Sequence, residues 1–396
     1  MSSGTDVLAP SNLRIVLANS SLAKYPKGGG HWSVFLQYLH GLDALGHKIF
    51  WLELLNSSGD KAHDQKLIRI FFARFQRYGF GSRCALLLIH SDYPDASLNS
   101  AEIYGATKCQ IHEVICRADL LWNFCCTLRQ PYLSLFKRRV LIDLDPGMLQ
   151  IPALDSNFAL SEHDVFLTVG SKMGEPDCQV PTLGCSWHRF MPVIYLPLWK
   201  TAPDPGPQAG FSSITQWTWD EIWYGKRVLS TSKREAFLRY LEMPQRTSRT
   251  FELAANIHPN DTTGDRELML EMGWNLVNPH LVARSPSIYQ EYIRKSRAEF
   301  SCPKPIYREL MTGWFSDRSA AYLASGRPVL AENTGFKDHL PTGSGLISFD
   351  DLDEAQAGVA EIDGNYPRHS RAARALAEEF LNAEKSLPAM LSACGW

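Results

Sequence analysis

A chain of 396 residues exceeds what one hydrophobic core comfortably serves, so two domains of ordinary size are expected. With 45% hydrophobic and 21% charged residues, the composition excludes a disordered or fibrous protein. The formal net charge of -2, from 40 Lys and Arg against 42 Asp and Glu, offers no basic stripe for a phosphate backbone, and nucleic acid is not expected as a partner.

The N-terminal stretch Met1 to Asn12 is polar and lacks a basic segment followed by an apolar one. No run in the chain reaches the roughly 18 apolar residues of a membrane span, so a cytoplasmic protein without a transmembrane segment is expected. Leu13 to Ala18 (LRIVLA) is a short apolar, β-branched run that predicts a strand buried in a parallel sheet. After a loop rich in Gly and Lys the period changes: Trp32, Phe35, Leu36, Leu39, Leu42 and Leu45 recur at three and four residues and predict an amphipathic helix that Gly46 ends. Lys48 to Leu52 (KIFWL) reads as the second strand of a right-handed, Rossmann-like β-α-β unit.

Further strands are predicted at Ala85–Ile89, Leu120–Phe124, Val140–Leu144, Val165–Val169 and Val193–Leu196, an alternation that is doubly wound α/β. Segment 197–210, PLWKTAPDPGPQAG, is too dense in Pro and Gly for a helix or a ladder and is expected to be a linker. A second series follows, with strands at Ser213–Gln216, Phe251–Asn256, Trp274–Val277, Ala298–Ser301 and Pro328–Ala331. Its helices are predicted at Lys233–Leu241, Asp265–Met272, Ile288–Lys295 and Ser316–Ala324, with terminal helices at Asp353–Ile362 and Arg371–Leu381. The expected organisation is one Rossmann-like domain over 1–196, a linker over 197–210, a second over 211–370 and a C-terminal helix over 371–396. Nine cysteines without paired CxxC blocks predict buried, reduced thiols, and neither a disulfide framework nor a metal site.

Gly28, Gly29 and Gly30 lie between the first strand and its helix, where a tight turn and a close backbone approach both favour residues without a Cβ. The loop is not a GxGxxG fingerprint, and Glu53 only loosely imitates the acidic ribose partner of a dinucleotide enzyme. Instead GGHWSVFLQYLHGLDALGHKI resembles the first β-α-β unit of GT-B glycosyltransferases, whose histidine at the helix start is the general base in inverting members. That resemblance implies that His31 takes the proton from an acceptor hydroxyl, a task suited to an imidazole near pKa 6.5. Asp143 and Asp145, in VLIDLDPG at the ligand-facing end of a predicted strand, are candidates for orienting His31 or meeting the acceptor, although an Asp before Pro146 equally suits an ordinary turn.

TGWFSDRSAAYLASGRPVLAENTGF, from Thr312 to Phe336, resembles the donor-binding segment of the same enzymes. Gly313, Trp314 and Ser316 match its first turn; Ser325, Gly326, Pro328 and Val329 match its second. Fainter likeness extends through TVGSKMGEPDC and FSSITQW, as in bacterial glycosyltransferase-like proteins. Ser316 suits an N-cap, and the free N–H groups of the helix it starts favour a diphosphate. The resemblance thus implies donor contacts from Gly29, Gly30, Gly313, Ser316, Asp317 and Arg318, with Lys304 or Arg308 as further cations. Asn333, Thr334 and Gly335 would meet the donor sugar, and Trp217 or Trp219 a base or sugar ring. One departure stands out: Ser319 occupies the place where plant-type members carry the glutamate that holds the ribose; Glu332 is a loose candidate for the glutamate that retaining relatives place elsewhere in this segment, so inversion and retention both stay open.

The expected protein is therefore an α/β enzyme with two Rossmann-like domains whose parallel sheets face a central cleft, acceptor-binding first and donor-binding second. It would move a sugar from a nucleotide diphosphate sugar to a small-molecule or glycan acceptor, with the donor as co-substrate, no other cofactor and no metal. A nucleotide-sugar epimerase of the same fold, or a non-catalytic partner subunit, are the alternatives.

Overall fold

The computed structural model describes residues 12–90, 101–258 and 262–396; the polar stretch before Asn12 lies outside them. The first half builds an eight-stranded sheet from β1 (Arg14–Asn19), β2 (Lys48–Asn56), β3 (Cys84–Ile89), β4 (Glu102–Tyr104), β5 (Leu120–Phe124), β6 (Arg139–Asp143), β7 (Val165–Thr168) and β8 (Trp187–Arg189). Its spatial order is β4-β3-β2-β1-β5-β6-β7-β8, parallel throughout except for β4 against β3. The order reverses between β1 and β5, the topological switch point at which open α/β sheets bind ligands. Helices cover both faces, which is why the strands read as continuous apolar runs. Ile15 and Leu17 pack with Trp32, Phe35 and Phe71 on one face, and Val16 and Ala18 with Ile111 and Ile115 on the other.

The second half builds a six-stranded parallel sheet from β9 (Phe211–Thr215), β12 (Phe251–Ala255), β13 (Asn275–Val277), β14 (Ala298–Ser301), β15 (Val329–Glu332) and β16 (Leu346–Phe349), in the order β13-β12-β9-β14-β15-β16. Between β9 and β12 stands a separate antiparallel hairpin, β10 (Ile222–Tyr224) and β11 (Arg227–Leu229), which the sequence pattern did not signal. No helix among the described residues is long and apolar enough to cross a membrane.

Two expectations change. Val193–Leu196 is not a strand: flanked by Pro192 and Pro197, it makes a single bridge from Ile194 to Asn382 and then turns into a 3₁₀ segment. The eighth strand is Trp187–Arg189 instead. The C-terminus is also more than one helix. After Leu352–Gly364 and Tyr366–Leu376, a π turn at Ala377–Leu381 redirects the chain into Ala383–Ala393. That last helix leaves the second half and buries Ala383, Leu387, Met390 and Leu391 in the core of the first. Gly41 on the first helix, Gly29–Ala44, admits it, since a Cβ there would meet Leu387 and Ala383.

Candidate functional site

Gly29 and Gly30 form the first turn of the Gly29–Ala44 helix rather than a free loop. The Gly29 N–H donates to Ala283 O at 2.5 Å, and a Cβ at Gly29 would collide with the Ala283 and Ser285 carbonyls. At Gly30 it would press on the Tyr289 ring at 3.3 Å. The glycines therefore let backbone of the second half lie directly on the helix start, a close approach between halves as well as a ligand-facing surface. Glu53 plays no part there: it is buried under the loop and accepts from Ala23 N and Trp51 Nε1, each at 2.8 Å.

Beside this contact the ligand-facing ends of the two sheets enclose a cleft of about 690 Å³. Tyr25, Gly28 to His31 and Val34 line it from the first half; Thr215, Gln216, Trp219, Asn256, His280 and Ser316 to Arg318 from the second. The His31 ring lies 5.3 Å from that of Tyr25; the residue reaches solvent in the cleft, while the protein crowded around it partly desolvates the ring. Burial lowers its pKa below the ordinary 6.5; Asp145 opposes the shift and Lys304 adds to it. The shift favours the neutral imidazole. Among the described residues no carboxylate ion-pairs with it, and Asp145 acts on it only through charge.

Asp143 is fully engaged elsewhere. It is buried and accepts from Gln150 Nε2 and Thr168 Oγ1, each at 2.8 Å, and from the Asp145 N–H at 3.1 Å. Burial, only partly offset by these donors, raises its carboxyl to about 6. Its place is to tie the ends of β6 and β7 together, not to orient His31. Asp145 reaches across the cleft instead, accepting from Lys304 Nζ at 3.0 Å and from the Tyr307 hydroxyl. Burial works against its charge, but Lys304 and Tyr307 hold it below the usual carboxylate range.

On the second half, Ser316 caps the helix Asp317–Ala324, accepting from the Arg318 N–H at 3.2 Å. Arg318 is turned inward: it pairs with buried Glu299 and donates to Ile214 O at 2.7 Å and Ser301 Oγ at 3.1 Å. Asp317 lines the cleft, and burial followed by the Asp145 charge pushes its carboxyl up to about 7. Arg308 meets buried Glu332 at 3.2 Å, together with Arg239 at 2.8 Å and the Tyr240 hydroxyl at 3.0 Å. Gly313 and Gly335 adopt positive φ, +70° and +98°, and a Cβ on either would strike the Ser171–Lys172 loop of the first half. Asn333 and Thr334 are buried, bonding Asp350 and Trp314 O, so their side chains brace the loop.

Trp217 is a correction. It is buried, donates to Asp265 at 2.9 Å and packs near Phe237, which makes it core; Trp219 is the tryptophan that faces the cleft. The cysteines also depart from expectation: all are free, but Cys109, Cys116 and Cys125 are exposed. The first two sit on the outer face of the helix Lys108–Arg117, and Cys125 at the end of β5 with φ +52°. Sequence reasoning missed Lys233, at the start of the helix Lys233–Leu238, 5.6 Å from the Trp314 ring and near Arg318 and Lys304. Burial and then those two cations press its ammonium far below the ordinary lysine value. Ser232 before a basic pair was the available signal. Asn256, read as the last residue of a strand, follows β12 instead, and His280 stands in the short helix Pro279–Val282; both line the cleft.

No family model and no curated protein matches the sequence. Solved structures do. An alpha-glucosyltransferase in complex with UDP superposes with a TM-score of 0.61 at 10% identity, over 98% of this chain and 100% of that one. Anabaena HepE in complex with UDP-glucose superposes with a TM-score of 0.54 at 12% identity, over 96% and 99%. The chain has the GT-B fold. An alpha-glucosyltransferase of this GT-B fold is also seen with UDP-glucose and DNA containing an abasic site, at a TM-score of 0.58, 11% identity and 97% and 99% coverage. This overturns the exclusion of nucleic acid that the net charge suggested. A charge summed over a whole GT-B surface does not measure the potential at one cleft.

Proposed function

We propose that the chain is a glycosyltransferase that takes a nucleotide diphosphate sugar as donor. The observation that carries the reading is that His31 and the Ser316-capped helix start face one cleft from opposite halves. The diphosphate lies at that helix start, in the cleft that Trp219 lines with Lys304 Nζ 5.8 Å from its ring. The acceptor oxygen bonds to the anomeric carbon, its proton passes to the neutral His31 imidazole, and the nucleoside diphosphate leaves with the electron pair of the broken C–O bond. The solved neighbours, which hold UDP or UDP-glucose, support UDP-glucose as the first donor to try. The DNA complex brings nucleic acid in beside carbohydrate as a class of acceptor.

Transfer needs no divalent metal in this reading. Both DxD sequences have other uses: Asp143 and Asp145 hold the partners above, and Asp351 caps the helix Leu352–Gly364 by accepting from the Glu354 N–H at 2.9 Å. The test is a thermal-shift titration with UDP and UDP-glucose, followed by donor turnover with and without EDTA. A raised melting temperature and EDTA-insensitive turnover are expected. No shift with any nucleoside diphosphate would remove the reading, and activity lost to EDTA and restored by Mg²⁺ would remove its metal-free form.

A further inference from the structure

The β10–β11 hairpin alternates as a half-buried ribbon should. Ile222, Tyr224 and Leu229 turn inward and pack with Met173, Val180 and Tyr307, so this insertion of the second half is seated on the first. Tyr224 Oη donates to Gln179 O at 3.3 Å and Arg227 Nη1 to Gln179 Oε1 at 2.9 Å, which locks the seat. The opposite face carries Trp223 paired with Val228, and these apolar side chains are 68% and 42% exposed. Just before β10, Trp219 is 48% exposed although its backbone is pinned on both sides by the Ser232 hydroxyl at 2.7 Å. Two indoles presented to solvent on a braced backbone lose little freedom when a ligand covers them.

We propose that Trp219 and Trp223 form a stacking platform for the pyranose rings of a neutral oligosaccharide acceptor. The platform is continuous with the reaction cleft: Trp219 lines it, and its ring lies 5.8 Å from Lys304 Nζ, which holds Asp145. Pyranose C–H edges suit the negative face of an indole. Between the two tryptophans stand Asp220 and Glu221, both exposed and without an ion-pair partner among the described residues. Carboxylates there accept from sugar hydroxyls. The assignment rests on the glycosyltransferase reading and names its acceptor class.

The experiment presents the whole protein to an array of neutral oligosaccharides and to a single-stranded 20-mer DNA, at low and high salt. Retention on neutral oligosaccharides that survives high salt is expected, and Trp223→Ala should weaken it about tenfold, with partial recovery in Trp223→Phe. The UDP-induced thermal shift, measured on each variant, reports whether it is folded. Retention of the oligonucleotide alone, no retention of any neutral oligosaccharide, or retention indifferent to Trp223 in a folded variant would each overturn the platform while leaving the donor reading intact. Failure of the wild type to respond to UDP would instead strike the transferase reading.

Discussion

His31 acts, in this reading, in its neutral form, and its surroundings favour that form: burial outweighs the nearby Asp145 and lowers its pKa below 6.5. The acid limb of kcat/KM should therefore fall below pH 6.5, as protonation removes the base. His31→Ala should lose that limb and about a hundredfold in kcat while keeping UDP affinity, since the ring meets the acceptor. Wild-type turnover in the variant would take His31 out of the mechanism. Glu53 makes a prediction about stability. Burial raises its carboxyl from 4.5 to about 8, against the donors Ala23 and Trp51. The folded state thus keeps a proton that the unfolded chain releases, so this contribution is complete below 4.5 and is lost as pH rises towards about 8. The wild-type unfolding free energy should fall over that interval, by at least the ~1.4 kcal/mol that one pKa unit represents, and Glu53→Gln should flatten the fall. An unchanged slope would place the titrating group elsewhere.

Two helix starts face each other across the cleft, and each can be altered alone. Ser316→Ala removes the acceptor of the Arg318 N–H, which should cost about 1 kcal/mol of stability. If the diphosphate also takes the Ser316 hydroxyl, UDP binding should weaken by a further ~1.5–3 kcal/mol, read by calorimetric titration under conditions where the variant is folded. Unchanged UDP affinity would show that the diphosphate does not take the Ser316 hydroxyl. Gly29→Ala tests the opposing helix. Its Cβ would meet two backbone carbonyls that cannot rotate away, so the cost should be ~1–3 kcal/mol by chemical denaturation. A neutral substitution would mean that the contact between Gly29 and the 283–285 backbone is not maintained in solution.

At the scale of the whole molecule, the Ala383–Ala393 helix carries the chain back from the second half into the core of the first. Truncation after Asn382 should expose the apolar surface around Gly41, lower the melting temperature by several degrees and raise dye binding; an unaltered melt would show that the helix contributes nothing to the first half. Much of this architecture was legible in the sequence. Strand and helix follow from the spacing of apolar residues, a local property, so β1, β5 and β14 and the helix capped by Ser316 could be placed from residues such as Ile15, Leu121, Phe300 and Ser316 alone. Hairpin β10–β11 could not, because its apolar inner face depends on what it is seated against. The site divides in the same way. His31 and Ser316 could be named because a helix start is written in neighbouring residues, whereas Lys304 meeting Asp145 brings together positions 159 apart. Trp217 and Trp219 differ by two residues and have opposite fates, one in the core and one facing the cleft. Composition and period determine which residues must be covered; which residue covers them, and which is left facing a ligand, is decided only when the two halves pack.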